Sequence, residues 1–158
     1  MTNSGAEPTD QAIAEQAKHA FHEHLAEKAT AARFKYGLYI DTDAMLRMLD
    51  DRAIVRYPTS LVFDASPLQA HEFAYPQPLG FHSGDGFALC IHPCFRPQLK
   101  IWPLLIAYHI PVINYGSIVD ADDAELFGAT LLGMDVEPYY KALCELTDAM
   151  TEAAAGGR

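Results

Sequence analysis

The chain has 158 residues, of which half are hydrophobic and a fifth are charged, and its formal net charge at pH 7 is −10. This length and composition predict one globular domain, because two separate cores would each be marginal. The excess of 21 acidic over 11 basic residues, with no run of Lys and Arg, argues against nucleic acid or an anionic membrane surface as a partner.

The N-terminal half of the chain predicts two helices and several short strands. An Ala-rich segment favours a long helix over about 9–36, and the Asp41-Thr42-Asp43 cap begins a brief helix that runs to Leu49. Pro58 and a turn at 66–69 separate extended segments from one another. These extended segments are predicted at 38–40, 53–57, 60–65 and 72–75.

The C-terminal half begins with an irregular loop over 76–86. The apolar run Phe-Ala-Leu-Cys-Ile at 87–91 predicts a strand that is buried on both faces. Helical spacing of apolar residues follows over 97–109, and the segment 111–115 predicts another strand. Two further helices are predicted, at about 122–134 and 136–150.

Together these elements predict a single α/β (or α+β) domain with a mixed sheet of about four or five strands, a long N-terminal helix and two C-terminal helices. The strand at 87–92, the helix at 97–109 and the strand at 111–115 have the lengths of a βαβ unit. Open α/β sheets bind ligands at the carboxyl ends of parallel strands. We therefore expect a pocket at the C-terminal ends of strands 87–92 and 111–115.

Polar side chains follow both of these predicted strands. His92 and Cys94 follow the first strand, and Arg96 with the backbone N–H groups of the next helix would hold an anion. The predicted ligand-binding residues are Arg96, Asn114, Tyr115 and Ser117.

The segment Cys90-Ile91-His92-Pro93-Cys94 offers thiolate and imidazole ligands that suit zinc. In an extended strand its two sulfur atoms would lie about 13 Å apart, too far for one ion or for a disulfide. Cys90 is therefore predicted to be a core residue. The predicted zinc ligands are His92, Cys94, His82 and His71.

A catalytic alternative uses Cys94 as a nucleophile. Cys94 would precede a helix N-terminus and lies near Arg96, and both features lower the pKa of a thiol. His92 or His109 would then serve as the base.

Three functions follow from these residues, and whether the protein is an enzyme is left open. The first is a small-molecule or metal-binding accessory domain, and the second is a small Cys/His-dependent or metal-dependent hydrolase or transferase. The third is a non-catalytic homodimer that associates through the first or last helix. The first ten residues lack a signal-peptide pattern, no apolar stretch spans a membrane, and three cysteines make no disulfide framework. We expect a cytoplasmic domain at 9–153 with flexible ends at 1–8 and 154–158.

Overall fold

The structure is a computed structural model that describes the backbone of residues 9–156 and the side chains of residues 9–152. The predicted flexible ends lie outside the described residues, except that the backbone of 154–156 continues the last helix. No helix in the described part of the chain is long and apolar enough to cross a membrane. The elements are α1 (Asp10–Tyr36), α2 (Thr42–Leu49), β1 (Thr59–Phe63), β2 (Ala74–Pro78), β3 (Phe87–Ile91), α3 (Trp102–Tyr115), α4 (Ala121–Leu132) and α5 (Val136–Gly156).

The first two helices begin at the capping residues that the sequence offers. The Thr9 side chain accepts a hydrogen bond from the Ala12 N–H at 3.0 Å, and Gly37 ends α1 with a positive φ of 111°. The Asp41 side chain accepts from the Ala44 N–H at 2.8 Å and begins α2. These bonds satisfy N–H groups that have no partner within the first helical turn. Both predicted helices are therefore confirmed.

The sheet has three strands in the order β1-β3-β2 within the described residues. β3 pairs in parallel with β1 and antiparallel with β2, and all five of its residues are buried, including Cys90. The mixed domain is confirmed, but the prediction of four or five strands and three main helices is wrong, since residues 9–156 form three strands and five α-helices. The segments 38–40 and 53–57 are not strands; Ile54 and Val55 are buried in a loop instead.

The predicted strand at 111–115 is also wrong, because these residues form the last turn of α3. Pro111 lies inside that helix and removes one backbone hydrogen bond, at a cost of about 3 kcal/mol. Burial overrides this local cost: nine of the fourteen residues of α3 are buried. The predicted βαβ unit is therefore absent, and β1 is the parallel neighbour of β3.

Helix α3 packs against α2, α4, α5 and strand β2, while α1 packs against α4. The Tyr139 hydroxyl of α5 donates to the Leu104 carbonyl oxygen at 2.7 Å, and the ring lies against Gly128 of α4. The C-terminal end of α3 contacts α1 through Tyr115 and contacts the loop 50–58, between α2 and β1, through Asn114. This meeting point forms the largest cavity described below.

Candidate functional site

The structure separates the predicted site residues into two groups. His92, Cys94 and Arg96 follow β3, whereas Asn114 and Tyr115 end α3. Ser117 lies in the exposed turn Gly116–Ile118 after α3. His71 and His92 line one cavity of about 290 Å³, while Asn114 and Tyr115 line another of about 400 Å³. The pocket predicted at the ends of strands 87–92 and 111–115 therefore has no structural basis, because 111–115 is not a strand.

Residues 92–96, called the β3 exit from here on, use their polar atoms locally. The Cys94 N–H donates to Nδ1 of His92 at 3.1 Å. This hydrogen bond occupies Nδ1 of His92, so Nε2 is the atom that a base or a zinc ligand at this position would have to use.

The thiol of Cys94 is half-buried, and burial raises its pKa. The sequence predicted the opposite direction because it placed a helix N-terminus directly after this residue. Cys94 instead lies in the short turn Pro93–Phe95, and α3 begins only at Trp102. Arg96 is exposed, with its guanidinium 5.7 Å from the centre of the Phe63 ring. The direction of this pKa shift is opposite to the one that the catalytic hypothesis assumes.

The other predicted metal ligands are not gathered into a site. His82 is exposed, and its backbone N–H donates to the Asp85 carboxylate at 3.1 Å. His109, which was predicted as an alternative base, is buried, with Nδ1 2.7 Å from the Leu105 carbonyl oxygen, and burial lowers its pKa to about 4. Among the described residues, no group of three or more His, Cys, Asp or Glu side chains lies close enough to hold a metal ion.

The cavity of about 400 Å³ lies between α1, the loop 50–58, the end of α3 and α4. Three of its lining side chains are cationic and none is acidic. We call it the basic cavity. Its lining residues are His24, Lys28, Arg52, Ala53, Ile54, Arg56, Asn114, Tyr115 and Phe127.

Asn114 holds the loop that forms one wall of the basic cavity. Its Nδ2 donates to the Ile54 carbonyl oxygen at 2.8 Å, and its Oδ1 accepts from the Arg56 N–H at 2.8 Å. Asn114 is only 8% exposed, so both bonds are shielded from water. Asn114 was predicted to bind a ligand directly, but in the structure both polar atoms of its amide group bind the backbone of the loop 50–58.

The two arginines of this loop are hydrogen-bonded to the protein through one nitrogen each. Nη1 of Arg52 donates to the carbonyl oxygens of Leu49 and Val55, at 2.9 and 3.2 Å. Nη1 of Arg56 donates to the Asn114 carbonyl oxygen at 3.3 Å. In the part of the chain that the structure describes, Nε and Nη2 of both guanidinium groups have no hydrogen-bond partner. These donors remain for a ligand, in the fork geometry that suits a carboxylate or a phosphate.

Aromatic rings surround Arg56 and define its orientation. Its guanidinium carbon lies 5.7 Å from the centre of the Tyr57 ring and 5.8 Å from that of Tyr115. The Tyr115 hydroxyl lies 2.7 Å from Nε2 of His24 on α1. Burial raises the pKa of Tyr115, so its phenol stays neutral near pH 7. Two ring contacts and one hydrogen bond to the Asn114 carbonyl oxygen hold the guanidinium against the protein.

The charges of the basic cavity have no counterpart in the described protein. Lys28, Arg52 and Arg56 have no carboxylate within 4.0 Å among the described residues. Three other basic side chains are paired: Lys18 with Asp120, Lys35 with Asp51 and Arg47 with Asp43. Arg33, Arg96, Lys100 and Lys141 also have no carboxylate within 4.0 Å among the described residues, so the distinguishing feature of Lys28, Arg52 and Arg56 is that they line one cavity.

Sequence analysis missed Lys28, Arg52 and Arg56. The sequence does contain a pattern that points to this pair, Arg52-Ala53-Ile54-Val55-Arg56, in which two arginines flank three apolar residues. The extended segment was predicted at 53–57, so Arg52 lay just before it and Arg56 within it, and the two were not considered as a pair. Lys28 comes from α1, far away in sequence, so no local pattern could join it to this pair.

The predicted homodimer through the first or last helix stays a prediction. Exposed apolar side chains lie at and beyond the C-terminal end of α1, where Phe34, Leu38 and Tyr39 are each at least 80% exposed. Within the described residues nothing covers them.

Comparison with known proteins gives no functional assignment for this fold or for its cavity. No protein-family model, curated protein or solved structure matches the chain.

Proposed function

We propose that this domain binds a small organic anion in the basic cavity. One observation carries the proposal: Lys28, Arg52 and Arg56, none paired with a carboxylate in the described chain, line one cavity of about 400 Å³ that contains no acidic side chain. An anion in this cavity would be attracted by all three positive side chains. The volume falls within the range typical of ligand pockets, about 300–1,000 Å³.

The wall chemistry supports an organic anion over a simple ion. Free Nε and Nη2 groups of the two arginines suit the oxygens of an acidic group. Ile54 and Phe127 in the same lining are almost fully buried, so the partly exposed ring of Tyr115 is the main surface that the wall offers to carbon atoms. Orienting polar groups beside an apolar wall are the usual composition of a small-molecule site.

This proposal keeps the ligand-binding hypothesis and moves its site. Of the predicted ligand-binding residues, Tyr115 lines the cavity and Asn114 fixes its wall, while Arg96 and Ser117 lie outside its lining. The Cys/His hydrolase and the zinc site find no support in the hydrogen bonding of His92 or in the raised pKa of Cys94. A cytoplasmic location stays a prediction.

The test is calorimetric titration at low ionic strength with benzoate, phthalate and phenyl phosphate. We expect at least one of these anions to bind, and Lys28→Met, Arg52→Met and Arg56→Met each to weaken binding about tenfold, as loss of a charge-assisted hydrogen bond does. Added salt should weaken binding as well.

Two matched controls change the same residue types outside the cavity. Lys141→Met on α5 and Arg96→Met at the β3 exit both replace exposed side chains that do not line the basic cavity. They should bind with wild-type affinity. Absence of binding by every anion tested, or equal loss in the controls, would overturn the proposal.

A further inference from the structure

We infer that the anion is a phosphate monoester with a ring-bearing carbon body, an inference that rests on the proposed function and narrows it. Three properties of the site support this class of ligand: the number of its charges, the direction from which its donors come, and the size of the cavity. These three properties concern different atoms of the site, and each can be tested with a different probe.

The first property is the number of charges. Lys28, Arg52 and Arg56 place three positive side chains around one cavity with no acidic residue in its lining. A single carboxylate or sulfate ester would neutralise one of them and leave two positive side chains without a counter-charge. A phosphate monoester carries about −1.5 to −2 at pH 7, which compensates most of the excess.

The second property is the direction from which the donors come. Lys28 is supplied by α1, whereas Arg52 and Arg56 stand at opposite ends of a buried pair in the loop 50–58. A carboxylate presents two oxygens in one plane, which suits a single guanidinium fork. A phosphate presents three acceptor oxygens around a tetrahedral centre, which suits donors that come from separate parts of the fold.

The third property is the space that the charged group would leave. A water molecule takes up about 30 Å³ in the liquid, so a cavity of about 400 Å³ has room for roughly a dozen water molecules. A phosphate group fills less than half of that space. Of the large apolar and aromatic side chains in the lining, Ile54, Tyr115 and Phe127, Tyr115 is the one that is partly exposed, and its ring favours a flat ring over a strongly hydrated body.

The experiment compares four probes by calorimetry on the full chain. Phenyl phosphate has the ring and the doubly charged tetrahedral group, and phenyl sulfate keeps the shape with one charge. Phthalate keeps the ring and two charges on planar groups, and inorganic phosphate lacks the ring. We expect phenyl phosphate to bind at least about tenfold more tightly than each of the other three.

A variant ties this ranking to the cavity. Lys28 is exposed and makes no hydrogen bond or ion pair within the described residues, so Lys28→Met should leave the fold intact. We expect it to weaken phenyl phosphate about tenfold and to bring its affinity close to that of phenyl sulfate. Lys141→Met should preserve the full difference.

The outcomes separate this inference from the function on which it rests. If phenyl sulfate, phthalate or inorganic phosphate binds as tightly as phenyl phosphate, and Lys28→Met weakens that binding, the phosphate-monoester inference fails and anion binding stands. If no probe binds, both fail. A ranking led by phenyl phosphate that survives Lys28→Met unchanged also overturns the inference, because the ester would then be bound elsewhere.

Discussion

The β3 exit and the basic cavity differ in how their polar atoms are used. The β3 exit holds the residue types most often associated with chemistry, but His92 accepts from a backbone N–H and burial raises the pKa of Cys94. The basic cavity holds ordinary surface residue types, yet Arg52 and Arg56 keep N–H groups that the described protein does not use. Whether a group is available to a ligand therefore depends on its remaining hydrogen-bonding capacity, which residue identity does not reveal.

The largest expected effect is on the pH dependence of the free energy of unfolding, and it tests whether His109 is held neutral by burial in the native state. His109 packs against Phe73 and Tyr108, and burial lowers its pKa from 6.5 to about 4. The native state therefore holds His109 neutral, while the unfolded chain binds a proton below about pH 6.5. Protonation of the unfolded chain at His109 therefore lowers the free energy of unfolding as the pH falls below 6.5. The loss reaches about 3 kcal/mol near pH 4, and above pH 6.5 it is absent.

Urea unfolding at a series of pH values from 7 to 4 measures this loss. Replacing His109 by Gln removes the titrating group, so the variant should lose less stability than the wild type over this interval, although other groups titrate in both. The exposed His82→Gln variant is the control and should follow the wild-type curve. Identical pH dependence in His109→Gln and wild type would contradict a buried neutral His109.

A second prediction tests whether the cavity wall depends on Asn114. Asn114→Ala leaves the Ile54 carbonyl oxygen and the Arg56 N–H without their partner and removes a buried side chain. We expect the free energy of unfolding to fall by about 2 kcal/mol and anion affinity to fall with it, since the loop that carries both arginines is released. Chemical unfolding and calorimetric titration measure the two effects.

Ser117→Ala is the matched control, because Ser117 is the other polar candidate near the end of α3 and is exposed. It should change the stability by less than about 0.5 kcal/mol and leave anion binding unchanged. A cavity that binds its anion normally in Asn114→Ala would show that the loop 50–58 is held by other contacts.

The part of the fold that sequence could predict is the part specified locally. Capping by Thr9 and Asp41 and the apolar run of β3 depend on neighbouring residues, and each is present as predicted. Residues 111–115 failed because Pro111 and the branched side chains around it disfavour a helix locally, whereas burial of α3 among its neighbours outweighs that cost. Tertiary contacts decided this segment, and no window of sequence contains them.

The candidate site shows the same division. Tyr115 was selected because polar residues follow a predicted strand, and it does line the basic cavity although that strand is a helix. Lys28 and Arg56 were missed because 27 residues separate them along the chain. Their combined charge exists only after folding brings α1 beside the loop 50–58.

The smallest expected effect concerns the thiol at the β3 exit. Because burial raises the pKa of Cys94, its thiolate should form only above the range of an ordinary cysteine, about pH 8.5. Iodoacetamide alkylation followed by mass spectrometry across pH 6–10 measures this directly. Cys144, which is exposed, provides an internal comparison in the same molecule and should be alkylated faster than Cys94 near neutral pH. Rapid modification of Cys94 at pH 6 that is abolished in His92→Ala would contradict this prediction and support the nucleophile hypothesis. Such a result requires a thiolate at Cys94 that depends on the His92 ring, whereas the observed hydrogen bond joins His92 to the Cys94 N–H and not to the thiol.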